Sequence, residues 1–115
     1  MHRTIHAYVH DGRIGVLVEV ATETDFAART DEFRAFCRDV AMHVAASAPA
    51  DVAELLAQSF VKDRDVRVDD RLAAIAALLR ERVAIVRCVR WTVSDDDVPA
   101  EPEPPKRPAV IARRA

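Results

Sequence analysis

The sequence predicts an α+β fold, a small antiparallel three-stranded sheet (a β-hairpin plus a C-terminal strand) packed against helices. Three patterns predict it. Residues 4–10 and 13–21 alternate around Asp11–Gly12. Residues 33–45 repeat apolar side chains at intervals of three and four. Residues 84–93 are β-branched and alternate with arginines.

In the first run, Ile5, Ala7 and Val9 face one way and His6, Tyr8 and His10 the other. Asp11–Gly12 is a turn signal. Ile14, Val16, Val18 and Val20 then share a face, so the pair reads as a hairpin whose more apolar side helices should cover. Thr30 can cap the next helix, with Asp31 and Glu32 in its positive first turn. Phe33, Phe36, Cys37, Val40, Ala41, Val44 and Ala45 make one stripe down a helix over residues 31–47, which Ala48–Pro49 ends. A short helix follows over residues 51–58. Phe60-Val61-Lys62-Asp63 then leads into an exposed, charged link. A further helix starts at Asp69 or Asp70 and runs to about residue 82, with Leu72, Ile75, Ala76 and Leu79 as its stripe. The last strand returns to the hairpin. The order is β-β-α-α-α-β.

Five of the six prolines lie between Pro99 and Pro108. The reading is therefore a folded domain over residues 1–93 and a Pro-rich, charged, disordered tail over residues 94–115. So small a core gains from a partner surface. The net charge of −2 argues against a general nucleic-acid binder. Arg87 and Arg90 beside Trp91 read as edge-strand charges more readily than as an RNA contact. Cys37 and Cys88 fall inside apolar patterns, with neither a CxxC pair nor a zinc spacing, and read as buried free thiols. The first ten residues are polar and no apolar run approaches the roughly 20 residues that cross a bilayer. No membrane partner is expected, and the expected compartment is the reducing cytoplasm.

Little here resembles catalytic chemistry. No nucleophile–base pair or carboxylate dyad is visible. Two glycines, Gly12 and Gly15, cannot build a phosphate-cradling loop, so no direct nucleotide binding is expected and no cofactor is called for. His6 and His10, at i and i+4 on a strand, lie about 13 Å apart and cannot share one metal unaided. His43 reads as a helix-edge residue reaching toward solvent. One stretch is anomalous. In TETDFAART, residues 22–30, Asp25 and Phe26 stand side by side at a strand-to-helix turn that water should reach. Either Asp25 caps the turn and Phe26 folds back onto the core, or Phe26 is meant for another molecule.

The segments IHAYVHDGRIGVLVEV, ETDFAART, DVAMHVAA, LLAQSFVKD and VRWTV, in that order, resemble the elongation factor Ts family, guanine-nucleotide exchange factors for the translational GTPase elongation factor Tu. The matches span almost all of residues 5–93. The resemblance implies an elongation factor Ts core-like fold and a non-catalytic exchange role. Thr24, Asp25, Phe26, Ala27 and Arg29 would then form the partner-binding tip, with Phe26 wedging between two helices of the GTPase. The departures are specific. The family's VNCETDFVAR reads VATETDFAAR here, with Ala21, Thr22 and Ala27 in place of Asn, Cys and Val. Nothing before Ile5 would encode the family's three-helix N-terminal domain, and only residues 47–52 stand where the family has a longer helical stretch. An exchange-deficient binding or dimerisation module is therefore the alternative reading. Single-copy cores of the family also imply a homodimer, with the hairpin and the arginine-rich strand as its pairing surface.

Overall fold

The computed structural model describes residues 1–93. The expected tail, residues 94–115, lies outside the described residues. Strands β1 (His2–His10) and β2 (Ile14–Thr22) form the hairpin. Asp11 and Gly12 take φ of 58° and 69°, the primed-turn geometry whose twist matches a hairpin. The Arg13 N–H closes the turn on the His10 carbonyl at 2.9 Å. A one-turn helix α1 (Asp25–Ala28) leads into α2 (Asp31–Ser47). Then come α3 (Val52–Ala57), the short strands β3 (Ser59–Phe60) and β4 (Asp63–Arg67), α4 (Val68–Leu79) and β5 (Val83–Thr92). The fold is α+β, with a three-stranded antiparallel sheet in the order β1-β2-β5.

The caps explain the helix boundaries. The Thr30 hydroxyl accepts from the Phe33 N–H at 3.2 Å, and Asp51 accepts from the Glu54 N–H at 2.8 Å. Each such cap stabilises its helix by roughly 1 kcal/mol. Asp70 does not start α4 but reaches back from its third position to the Arg67 N–H at 2.9 Å. Ala48 and Arg80 end α2 and α4 in the left-handed conformation, at φ 49° and 59°. That turn stops α4 short of residue 82.

The core lies between one face of the sheet and α2. Val16, Val18 and Val20 of β2 meet Phe33, Phe36, Cys37, Val40 and Val44 of α2. Each fully buried valine contributes on the order of 1.5–3 kcal/mol over exposure. β5 carries a bulge: Glu19 pairs with Arg87 but Val20 pairs with Ile85. The extra residue flips the parity, so Val83 and Ile85 are buried at one end while Cys88 faces the same side at the other.

Three features go beyond or against the sequence expectations. First, the helices cover the apolar side of β2, as expected, but the apolar alternates of β1 lie on the other side. The register sets His6 opposite Val18 and Tyr8 opposite Val16, so the valines of β2 draw the more polar side of β1 inward. Ile5 and Val9 stay 62% and 65% exposed on the outer face. Second, the charged link is an ordered two-stranded ribbon, β3 paired with β4, and Phe60 is buried. Third, His43 is fully buried. Its Nδ1 accepts the Val61 N–H at 3.0 Å, its Nε2 meets Gln58 Oε1 at 2.9 Å, and its ring stacks on Phe60. The imidazole bolts the ribbon to α2. Both cysteines are free, but only Cys37 is fully buried; burial pushes its thiol up to about 12. Cys88 is half-buried, and burial followed by Asp51 raises its thiol as well.

Candidate functional site

The corner between β2 and α2 is built by short polar contacts. Thr24 has extended backbone and caps α1, its hydroxyl accepting the Ala27 N–H at 3.2 Å. The same hydroxyl donates to Glu81 Oε2 at 2.6 Å. The N–H groups of Glu23 and Thr24 both donate to Glu81 Oε1 at 3.1 Å. In return, Glu23 Oε2 accepts the Arg82 N–H at 2.6 Å. That backbone N–H leads the causes that hold the Glu23 carboxyl below its usual range, with the Arg82 guanidinium adding to it. Beneath the corner the buried Thr22 hydroxyl donates to the Thr24 carbonyl at 2.8 Å, and the Thr30 hydroxyl donates to the Ala27 carbonyl at 2.8 Å.

These contacts fix the chain on both sides of one side chain. Phe26 is 75% exposed. Its ring does not fold back into the domain, which removes the inward alternative left open by the sequence. Asp25 does not cap the turn; Thr24 does. Asp25 instead pairs with Arg29 one helical turn later, Nη2 to Oδ2 at 3.0 Å. Both side chains are more than half exposed, so the pair orders the surface beside Phe26 more than it stabilises the fold. Ala27 is 3% exposed and fills the inside of the corner. Of the five residues singled out in the sequence, Thr24, Asp25, Phe26 and Arg29 are exposed and Ala27 is not.

Sequence reasoning missed Glu81 and Arg82. They follow α4 directly and return to the corner from nearly sixty residues away. The contact exists because β5 pairs with β2 along its whole length, bringing the start of one strand to the end of the other. A pairing prediction for β5 could have exposed it, since Thr22 and Val83 are partners in that register.

A second surface is apolar. The outer face of the sheet aligns Ala7, Leu17 and Val89 in one row and Val9, Gly15 and Trp91 in the next. Leu17, Val89 and Trp91 are 48%, 42% and 77% exposed. Glu19 closes this face between Arg87 at 2.6 Å and Arg3 at 3.4 Å. Arg90 points the other way and donates to the Ala45 carbonyl at 3.1 Å, so the two arginines of β5 serve opposite faces. Among the described residues, no group of three or more His, Cys, Asp or Glu side chains could hold a metal ion. No helix there is long and apolar enough to cross a membrane.

Fold and site together define an α+β module with a clamped strand-to-helix corner that carries one bare aromatic ring. A family model described as Elongation factor TS matches residues 1–50 and 23–100. The chain is 33% identical to elongation factor Ts of Moorella thermoacetica over 143 positions, covering 84% of this chain and 70% of that protein. It is 51% identical to elongation factor Ts of Acetivibrio thermocellus over 65 residues, covering 54% of this chain and 30% of that protein. With the Alkaliphilus oremlandii factor it shares 32% over 136 positions, 79% of this chain and 63% of the relative. The chain belongs to the elongation factor Ts family. It spans between about a third and about two thirds of the length of several of these relatives. The longer alignments run over more positions than its 115 residues, so those relatives carry inserted residues that it lacks.

Proposed function

We propose that this module docks on the translational GTPase elongation factor Tu and promotes GDP release through the Thr24-Asp25-Phe26 corner. The observation that carries the reading is Phe26, 75% exposed on a corner fixed by Thr24, Glu23 and Glu81. An aromatic ring left in water forgoes on the order of 2–3 kcal/mol that burial would provide. If the partner's pocket for that ring opens only when the helices around its nucleotide shift, the burial energy favours the shifted state. A ligand moves an equilibrium only by its differential affinity for the two states. Each ~1.4 kcal/mol so coupled weakens nucleotide binding about tenfold. A rigid corner transmits more of this energy, because little is lost to ordering the wedge on contact. In this reading the factor performs no bond chemistry, binds no nucleotide and needs no cofactor.

The outer sheet face supports a homodimer in the same reading. Two copies packed face to face through Leu17, Val89 and Trp91 would cover side chains that one copy leaves in water. The partial span of the longer relatives keeps an exchange-deficient binding or dimerisation module as the competing role. Release of labelled GDP from purified elongation factor Tu separates the two. Acceleration that saturates with added module supports exchange. Binding without acceleration leaves the competing role, and absence of binding overturns both. Light scattering at tens of micromolar tests the dimer, and a monomer mass refutes it.

A further inference from the structure

The free edge of β1 lies beside two arginines that the proposed function does not use. β1 has β2 as its only strand neighbour among the described residues. Which backbone groups face the free edge follows from two hydrogen bonds. The His10 carbonyl accepts from Arg13, so the even residues of β1 address β2. The Arg13 carbonyl accepts from Val93, so the odd residues of β2 address β5. By alternation, the N–H and C=O groups of Ile5 and Ala7 point out from the sheet edge. Beside them, Ile5, His6 and Ala7 form a groove with Arg34 and Arg38 of α2. Both arginines are exposed, and neither has an ion pair among the described residues. Arg34 also lies close enough to His6 to disfavour its protonated form, adding to the effect of burial.

We infer that this edge is a docking site for an extended acidic peptide that adds as a fourth strand beside β1, with two carboxylates on Arg34 and Arg38. Three observations fix the sequence that fits. Arg34 and Arg38 are one helical turn apart, about 6 Å along α2. Side chains two residues apart on a strand are separated by about 6.6 Å, so the carboxylates fall at i and i+2. Residues opposite His6 project onto the helix side of the sheet, where the arginines are. The residue between the two acids therefore projects onto the outer side, against Ile5, and gives its own N–H and C=O to the free edge. The recognised pattern is acid–apolar–acid, and the apolar residue must keep its N–H. The charge complementarity is direct: two cations without carboxylate partners among the described residues flank a row of backbone donors and acceptors that no described strand uses.

The test uses the full chain and a fluorescein-labelled seven-residue peptide with glutamates at its third and fifth positions and valine between them. Saturable binding is expected, weakened at least tenfold by R34E/R38E. Methylating the nitrogen of the central valine should weaken it by a similar factor. In NMR hydrogen exchange, the amides of Ile5 and Ala7 should gain protection on binding while that of His6 does not change. The R34E/R38E variant should keep its circular dichroism, since both side chains are exposed. Three results overturn the proposal. One is no saturable binding. Another is binding indifferent to the methylated nitrogen, which makes the groove an anion patch and not a strand edge. The third is protection of Ile5 and Ala7 that rises with protein concentration alone, which assigns the edge to a second copy of the chain.

Discussion

Phe26 and Phe60 stand in similar sequence surroundings and have opposite fates. Each follows a helix-capping or turn segment and precedes charged residues. Phe26 is 75% exposed and Phe60 is 3% exposed. The difference comes from what the fold brings to each. Around Phe60, His43 arrives from α2 and Arg71 from α4, the first stacking on the ring and the second lying 5.5 Å above it. Around Phe26, Glu81 grips the backbone of Glu23 and Thr24, Arg82 holds the Glu23 carboxylate, and the ring is left alone. One aromatic holds its own domain together. The other is held out from it.

The contrast can be broken by mutation, and the largest effect should come from Phe60. Phe60→Ala should destabilise the domain by about 3–5 kcal/mol in chemical denaturation, while Phe26→Ala should change stability by less than about 0.5 kcal/mol. Similar losses for both would mean that Phe26 packs internally in solution. Next comes His43→Leu, which removes the hydrogen bonds to the half-buried Val61 N–H and to Gln58 and should cost about 1–2 kcal/mol. Hydrogen exchange should locate that damage in the β3–β4 ribbon, and uniform loosening would argue against the imidazole as its anchor. Glu81→Ala removes three hydrogen bonds from the corner and should cost roughly 1 kcal/mol. Its sharper signature is increased exchange at the Thr24 amide with the core amides unchanged.

The smallest effect concerns pH. The Arg87 hydrogen bond is the main cause holding the Glu19 carboxyl below its usual range. A carboxylate lowered in the folded state contributes stability above its unfolded value and loses it as pH falls through the folded one. E19Q should therefore destabilise at pH 7 and be neutral at pH 2. Denaturation at the two pH values checks the sign, and an equal effect at both would remove the charge from the explanation.

The same contrast marks how far the sequence could be read. Both strands of the hairpin, the stripe of α2 and the Thr30 cap were legible, because each depends on neighbours within a turn or a strand. The exposed corner was legible as an anomaly, through an aromatic in a polar turn. What stayed hidden depends on pairing. The valines of β2, not the composition of β1, decide which side of β1 faces the helices. His43 looks like a helix-edge residue until the ribbon at 59–67 folds over it, and that ribbon alternates too little to announce itself. Glu81 could not be connected to Thr24 without the β2–β5 register.

The central claim is that the Phe26 ring, fixed outside its own domain, is the element that drives release of nucleotide from the partner. Its most direct test is the rate of GDP release from elongation factor Tu with wild-type module and with Phe26→Ala at matched saturation. The account predicts a loss of one to two decades in acceleration, about 1.4–2.8 kcal/mol of coupling, with the module still folded. Full acceleration by the alanine variant would contradict it.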